Sequence, residues 1–297
     1  MCSRTAARSV AAMRPYLFRL TAAAGATAAV LAVPSTAHSA DAVYGGSAPG
    51  GDPIVVKADP DAKQLRSIAV SWRADCSNGD WYPGGGVLTP AKPVPGFVAS
   101  PNELLVSRNA KGRFKGTQLT GATNAAITVD VSGKLMPGRA TGTLTATVKV
   151  IDPATGNAVT SCQKTQTWTA TRVPGSIYGG ATSQGQPFVV RMNPKARLVN
   201  DVITTWYAKC TPEGVFRAPD HFVDFSISKT GAFGNPFDFD VDMKERGKRH
   251  YDYVFTGRLK RSRASGLLRV KVAETDAAGA PGASCDSGGL TWKATTG

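Results

Sequence analysis

Two histidines follow residue 42, His221 and His250, and they are the side chains of this chain best suited to act as a general base. A Ser-His-Asp or Cys-His hydrolase would need one of them beside a nucleophile. The sequence has no G-x-S-x-G elbow, so we predict surface or strand-edge histidines and no catalytic residue. The alternative is an extracellular hydrolase with carboxylates at a sandwich edge or in an interdomain groove, because carboxylates that cleave glycosides have no fixed spacing in sequence.

Three aspartates alternate with apolar residues in the segment PFDFDVD, which covers residues 236–242. Carboxylate oxygens are ligands that Ca²⁺ prefers. Side chains two positions apart on a strand are about 7 Å from each other, however, and three of them cannot all bind one ion. We predict no metal site but an outward acidic stripe of Asp238, Asp240 and Asp242, on a hairpin whose apolar face continues into residues 251–255. Its possible acidic neighbours are Asp220, Asp224 and Asp252.

Positive charge is densest in residues 244–271 of a chain whose net charge is +14. The candidate polyanion-binding residues are Lys244, Arg246, Lys248, Arg249, Arg258, Lys260, Arg261 and Arg263. Hairpin tips with this charge would attract acidic cell-wall polymer, phospholipid headgroups or extracellular nucleic acid. The alternative is that the charge provides solubility and protects strand edges.

Trp81 and Tyr82 are adjacent aromatic residues in the glycine-rich segment NGDWYPGGG. An exposed pair of this kind suits stacking on sugar rings, so both are candidate glycan-binding residues. A strand-edge aromatic is the equal alternative, since Phe216 occupies a similar place later in the chain.

The chain contains an internal repeat. The motif Trp-x-Ala-x-Cys occurs at 72–76 and again at 206–210, an offset of 134 residues. The G-x-F step at 112–114 matches that at 231–233 with an offset of 119, so the first copy carries about fifteen additional residues near 84–105. The predicted organisation is a signal peptide at 1–42, a first copy at 43–173, a linker at 174–176 and a second copy at 177–297.

Each copy has the pattern of short strands. Ile68, Val70, Trp72, Ala74 and Cys76 occupy alternate positions, which places them on one face of a strand. The chain is rich in turn formers, with 32 glycines and 19 prolines. We predict an all-β protein made of two tandem antiparallel β-sandwich domains with an immunoglobulin-like architecture.

Four cysteines remain after residue 42. They are not clustered as metal ligation requires, and we predict no cofactor. An even number of separated cysteines in an exported chain is typical of disulfides. Within the repeat, we predict the bonds Cys76–Cys162 and Cys210–Cys285, each joining an early strand to the last hairpin and stabilising its domain by roughly 4 kcal/mol. Pairing between the two domains is the alternative.

The first 42 residues have the features of a signal peptide. Four arginines precede or begin an apolar stretch at 20–33, and an A-x-A site at 40–42 precedes Val43. No cysteine ends the apolar stretch, so no lipid anchor is predicted, and no later segment has the length of a transmembrane span. The sequence therefore predicts a secreted protein, extracellular or periplasmic.

The paired Cys and Trp residues, the G-x-F step and the A-[ST]-G-x-L step at 140–144 and 264–268 resemble uncharacterised exported bacterial β-sandwich modules in tandem. The resemblance covers nearly the whole chain after residue 42, and its motifs are structural, so it implies a fold and no activity. We expect a non-enzymatic binding or surface-structural module whose unknown ligand is a cell-wall glycan or an anionic polymer.

Overall fold

Strands account for nearly all of the regular structure, and the all-β prediction is confirmed. The computed structural model describes residues 41–91, 101–122, 124–195, 197–212 and 214–297. These residues belong to one compact unit. The predicted signal peptide lies outside the described residues except for its last two positions, as does the segment 92–100 of the additional residues in the first copy.

The first half of the described chain forms one sheet that closes on itself. Its strands are β1 (Ala42–Ser47), β2 (Pro53–Ala58), β3 (Leu65–Cys76), β4 (Trp81–Ala91), β5 (Glu103–Ala110), β6 (Arg113–Ala122), β7 (Ala125–Met136), β8 (Arg139–Ile151) and β9 (Ala158–Thr171). Successive strands pair antiparallel except β4 and β5, which are parallel. The last strand, β9, pairs with β1 and β3 as well as with β8, which completes the barrel.

The second half forms a separate ten-stranded sheet. Its strands are β10 (Ile177–Thr182), β11 (Pro187–Asn193), β12 (Leu198–Thr211), β13 (Gly214–Ser226), β14 (Ala232–Phe233), β15 (Pro236–Asp242), β16 (Lys248–Lys260), β17 (Arg263–Thr275), β18 (Pro281–Asp286) and β19 (Leu290–Thr295), with a short 3-10 helix at Lys244–Arg246. The order is β13-β12-β11-β10-β19-β17-β16, and both β14 and β15 pair with β16. Strand β18 pairs with both β12 and β17, which closes a ring of six strands and leaves β13 and β15 outside it. In the described part of the chain no pairing joins β13 to β14 or β15.

The repeated tryptophans lie in the two cores. Trp72 and Trp206 are fully buried, each on the inner face of its strand. Trp72 packs over Gly84 of β4, where a Cβ atom would lie 2.1 Å from the indole ring. The strand pair can therefore close over the ring only because position 84 has no side chain.

Both predicted disulfides are confirmed: Cys76 is bonded to Cys162, and Cys210 to Cys285. In each bond the two cysteines are direct cross-strand partners, on β3 and β9 in the first half and on β12 and β18 in the second. Each bond therefore ties the third strand of its half to β9 or β18, in agreement with the prediction of a bond between an early strand and the last hairpin.

The two halves pack against each other through one sheet face each. A small buried apolar cluster joins them, made of Val55, Ala69, Val189 and Ile203. At its edge the Ser71 hydroxyl donates to Thr205 Oγ1 over 3.1 Å, and these residues are themselves 134 positions apart. The contact explains why β3 is buried on both faces around residues 68–72, beyond the simple alternation of its sequence.

A buried ion pair lies beside this contact. Arg217 of β13 forms a salt bridge with Asp52, which precedes β2, and the exposed fractions of the two side chains are 3% and 8%. The same guanidinium donates to the Ser71 hydroxyl over 2.6 Å. Among the described residues, a search for helices with the length and hydropathy of a membrane span finds none.

Candidate functional site

A cleft of about 430 Å³ opens into the core of the second half, between β13 and β15. Its principal lining residues are Asp220, Phe222, Phe225, Phe237, Phe239 and Tyr253. They come from three strands, β13, β15 and β16. We call this space the aromatic cleft.

The aromatic cleft lies where the first half has an extra strand. There β5 pairs with residues 89–91 of β4 on one side and with β6 on the other. The repeat offsets identify the counterparts of these contact positions in the second half. Residues 89–91 correspond to 223–225 by the offset of 134, and Gly116 of β6 corresponds to Asn235 by the offset of 119. All of these counterparts line the cleft. The second copy lacks the residues that form β5, and its sheet is open at the corresponding place.

Aromatic rings form the wall of the cleft. Phe237 stacks on Tyr253 with ring centres 4.9 Å apart, and Phe239 stacks on Tyr251 at 5.0 Å. Phe222 approaches Phe237 edge-on at 5.7 Å from the opposite strand. These inward positions follow from the period-two pattern of β15. Phe239 nevertheless remains 44% exposed, because no strand of the described residues covers that side. The rings offer an apolar surface that solvent can reach.

Asp220 is a carboxylate in this apolar wall. Its Oδ2 accepts hydrogen bonds from the Trp206 indole and from the Tyr253 hydroxyl, the latter over 2.7 Å. Burial raises the pKa of Asp220 above its ordinary value, and the two hydrogen bonds only partly oppose that effect. Burial, with the neighbouring Asp220 charge, likewise raises the pKa of Tyr253. The prediction that Asp220 is a neighbour of the outward acidic stripe is wrong, since it shares the inner face of β13 with Phe222.

The acidic stripe itself faces outward on β15. In register across the hairpin, Asp242 is opposite Lys248, Asp240 is opposite His250, and Asp238 is opposite another carboxylate, Asp252. Only the first two have a basic cross-strand partner. Among the described residues, no group of three His, Cys, Asp or Glu side chains is arranged to hold a metal ion.

Both histidines contact carboxylates. His221 Nε2 contacts Asp201, which also forms a salt bridge with Arg191 over 3.1 Å. His250 Nδ1 lies 2.8 Å from Asp240. Both imidazoles are largely exposed at strand surfaces. In this arrangement the two imidazoles hold carboxylates in place, the buried Asp201 and the exposed Asp240.

The candidate polyanion-binding residues fall into two groups at opposite ends of β16. One group surrounds the β15–β16 turn and consists of Lys244, Arg246 and Lys248; the other surrounds the β16–β17 turn and consists of Arg258, Lys260, Arg261 and Arg263. Lys248 and Lys260 are twelve residues apart and are separated by roughly 40 Å along the strand. Arg249 belongs to neither group, because it pairs with Glu274 at 2.8 Å and covers the Phe216 ring at 4.9 Å. The candidate residues therefore lie at two separate places along β16.

Trp81 and Tyr82 point to opposite faces of β4, as neighbours on a strand must. Tyr82 stacks against Trp72 inside the first half, with ring centres 6.5 Å apart. Trp81 is 41% exposed, and the Arg73 guanidinium lies over its ring at 6.0 Å. The two rings therefore do not form one shared stacking surface: Trp81 is exposed, whereas Tyr82 is partly buried against the core.

The aromatic cleft has a signal in the amino-acid sequence. The drop in repeat offset from 134 to 119 marks the loss of a strand, and the cleft is its structural result. That β13 would face β15 across the gap, with Asp220 inside, depended on strand order.

Comparison of the chain with protein-family models, with curated proteins and with solved structures found no match.

Proposed function

We propose that the protein is an exported, non-enzymatic binding module built from two duplicated β-sandwich domains of immunoglobulin-like architecture, and that the aromatic cleft is its ligand site. One observation carries the proposal: an opened core whose aromatic rings are reachable from solvent. Binding sites are typically concave and apolar with a few converging polar groups, and the cleft has this composition.

Matching contacts support the duplication. Tyr44 Oη donates to the Met136 carbonyl over 2.9 Å, and Tyr178 Oη, 134 residues later, donates to the Arg261 carbonyl over 3.1 Å. In both halves a buried tyrosine from the first strand thus holds a hairpin turn. Export is supported by the two disulfides, since such bonds persist in oxidising compartments, and by the signal-peptide features of residues 1–42.

A binding role suits the cleft better than a catalytic one. The carboxylate of Asp220 is already engaged by two donors from the protein, which hold it against the wall. Phe239 and Val223, in contrast, present large apolar surfaces that are 44% and 54% exposed. Covering such surface with a ligand is favourable by about 25 cal/mol per Å². The exposed rings therefore provide binding energy that the folded chain alone does not use.

The test is a binding screen of the mature protein against cell-wall glycans, anionic vesicles, duplex DNA and unfolded polypeptide, at two salt concentrations. We expect one class to bind and the variant Phe239→Ser to weaken its binding about tenfold, as truncation of a central aromatic contact does. The matched control is Leu119→Ser, which removes an exposed apolar side chain from β6 of the first half. Binding that is equal in both variants, or no binding at all, would contradict the assignment.

The basic group at the β16–β17 turn supports a second candidate function, attraction of a polyanion. Arg258, Lys260, Arg261 and Arg263 are exposed, and none forms an ion pair with a carboxylate in the described part of the chain. Lys260→Glu combined with Arg263→Glu should abolish salt-dependent DNA or vesicle binding. The pair Lys244→Glu and Lys248→Glu serves as the control at the other end of β16. If the two double variants weaken DNA or vesicle binding equally, the net charge of the protein and not the β16–β17 turn is responsible for the binding.

The hydrolase alternative would rest on Asp220 and Asp224, the two carboxylates that line the cleft. It would require glycan cleavage that is lost in Asp220→Asn while glycan binding is retained. Cleavage of this kind would replace the binding proposal.

A further inference from the structure

We propose that the aromatic cleft binds an extended polypeptide strand, which adds between β13 and β15 and carries Lys or Arg opposite Asp238. The inference rests on the proposed function and specifies the ligand of the same site. Its basis is the juxtaposition of two unpaired strand edges with an apolar wall between them.

The two edges are the first step of the argument. In the described residues β13 pairs with β12 alone, and β15 pairs with β16 alone. Each strand therefore has a row of backbone N–H and C=O groups that no neighbouring strand satisfies. Proteins usually protect such edges with lysine, proline or inward charge. Pro236 opens β15, but the exposed apolar residues Val223, Phe239 and Val241 lie beside these edges. An exposed sheet edge with apolar side chains beside it suits the addition of an extended peptide as a further strand.

The first half shows how such a strand would lie. There β5 runs parallel to β4 and antiparallel to β6, and its Leu104 side chain is completely buried. Val106 of the same strand packs partly buried against the same core. By the offsets, residues 223–225 of β13 and Asn235 of the second half stand at the β5-contacting positions. A ligand strand is therefore expected to run parallel to β13, antiparallel to β15, with alternate apolar side chains pointing inward.

Charge sets the outward positions. Asp238 is opposite Asp252 on one side, so two carboxylates are direct cross-strand neighbours, an unfavourable arrangement. On its other side Asp238 faces the open edge. In the first half, Leu105 of β5 is opposite Thr117 of β6. If this register continues by two residues, Glu103 is opposite Leu119, and the 119-residue offset places Asp238 at the position of Leu119 in the second half. A Lys or Arg at the position of Glu103 would pair with Asp238, whereas Glu would add a third carboxylate.

The experiment uses a fluorescent peptide with the β5 sequence, NELLVSRNAK (residues 102–111), titrated with the intact protein and followed by anisotropy. A second peptide carries Glu103→Lys, and a third carries Leu104→Asp to abolish the inward apolar contact. We expect the Glu103→Lys peptide to bind two- to fivefold more tightly than the β5 peptide, because one like-charge contact becomes an opposite-charge contact. We expect the Leu104→Asp peptide not to bind.

Two protein variants locate the site. Asp238→Lys should reverse the preference, so that the peptide with Glu103 binds more tightly than the Glu103→Lys peptide. Phe239→Ser should weaken both, whereas Leu119→Ser should weaken neither, which separates cleft binding from exchange with β5 in the first half. Thermal unfolding of each variant checks that the fold is kept.

The outcomes separate the two proposals. Peptide binding without the charge reversal, or without loss in Phe239→Ser, overturns strand addition at this cleft. Phe239-dependent binding of a glycan or lipid with no peptide binding overturns strand addition but keeps the cleft as the ligand site. No Phe239-dependent binding of any ligand overturns both.

Discussion

Asp220 gives the sharpest stability prediction, because its acceptor atom serves two buried donors. Asp220→Ala would leave the Trp206 indole N–H and the Tyr253 hydroxyl without this acceptor, and both side chains are essentially inaccessible to water. An unsatisfied buried donor costs about 1–3 kcal/mol. We expect Asp220→Ala to lower the free energy of unfolding by about 2–5 kcal/mol at neutral pH, since part of the loss is recovered by removing a desolvated charge.

Asp220→Asn is the matched control, since the amide oxygen can accept both hydrogen bonds and the side chain does not titrate. In the wild type the pKa of Asp220 is raised above its ordinary value of 3.8. The folded state thus binds this proton more tightly than the unfolded chain does. The resulting stabilisation is fully present below pH 3.8 and is lost as the pH rises through the pKa of the folded state. The stability of the wild type relative to Asp220→Asn should therefore fall as the pH rises.

The assay is urea unfolding of the three proteins, followed by tryptophan fluorescence at several pH values from 3 to 8. A difference between wild type and Asp220→Asn that is independent of pH would refute the assigned pKa direction. Asp220→Ala and Asp220→Asn with equal stability would refute the role of Asp220 as acceptor for the two donors.

Two further predictions concern the framework. Arg217→Ala should lower the free energy of unfolding by about 3–5 kcal/mol in urea unfolding, because Asp52 is left buried without its partner. A combined Arg217→Met and Asp52→Leu variant should recover most of that loss. If the combined variant recovers none of it, packing matters more than charge at this position. Replacing Cys76 and Cys162 by alanine removes a crosslink between residues 86 positions apart, which should cost about 4.5 kcal/mol in the chain-entropy model. Added reductant should then have a smaller effect on this variant than on the wild type, and an equal effect would contradict the assignment.

The parts of the fold that were predictable depend on local pattern. Period-two alternation around Trp72 and Trp206 identified inner strand faces, and the matching motifs that carry the cysteines in the two copies identified the two cysteine pairs. The acidic stripe of β15 follows from the same rule. The residues of the site were only partly predictable. Phe237 and Phe239 could be assigned to an inward face, but what lies across from them could not.

The sequence by itself determined the strands, their inner faces and the cysteine pairing, because these follow from residue periodicity and from an internal repeat. The tertiary structure alone decided that β5 fills the space between β4 and β6 while a cleft remains between β13 and β15, that Asp220 lies inside this cleft, and that Arg249 turns away from the basic groups to Glu274. The structure also places the Trp81 ring in solvent and the Tyr82 ring against Trp72. The physical reason is that these outcomes depend on strand order and register between segments distant in the chain, where removing one strand changes which side chains meet.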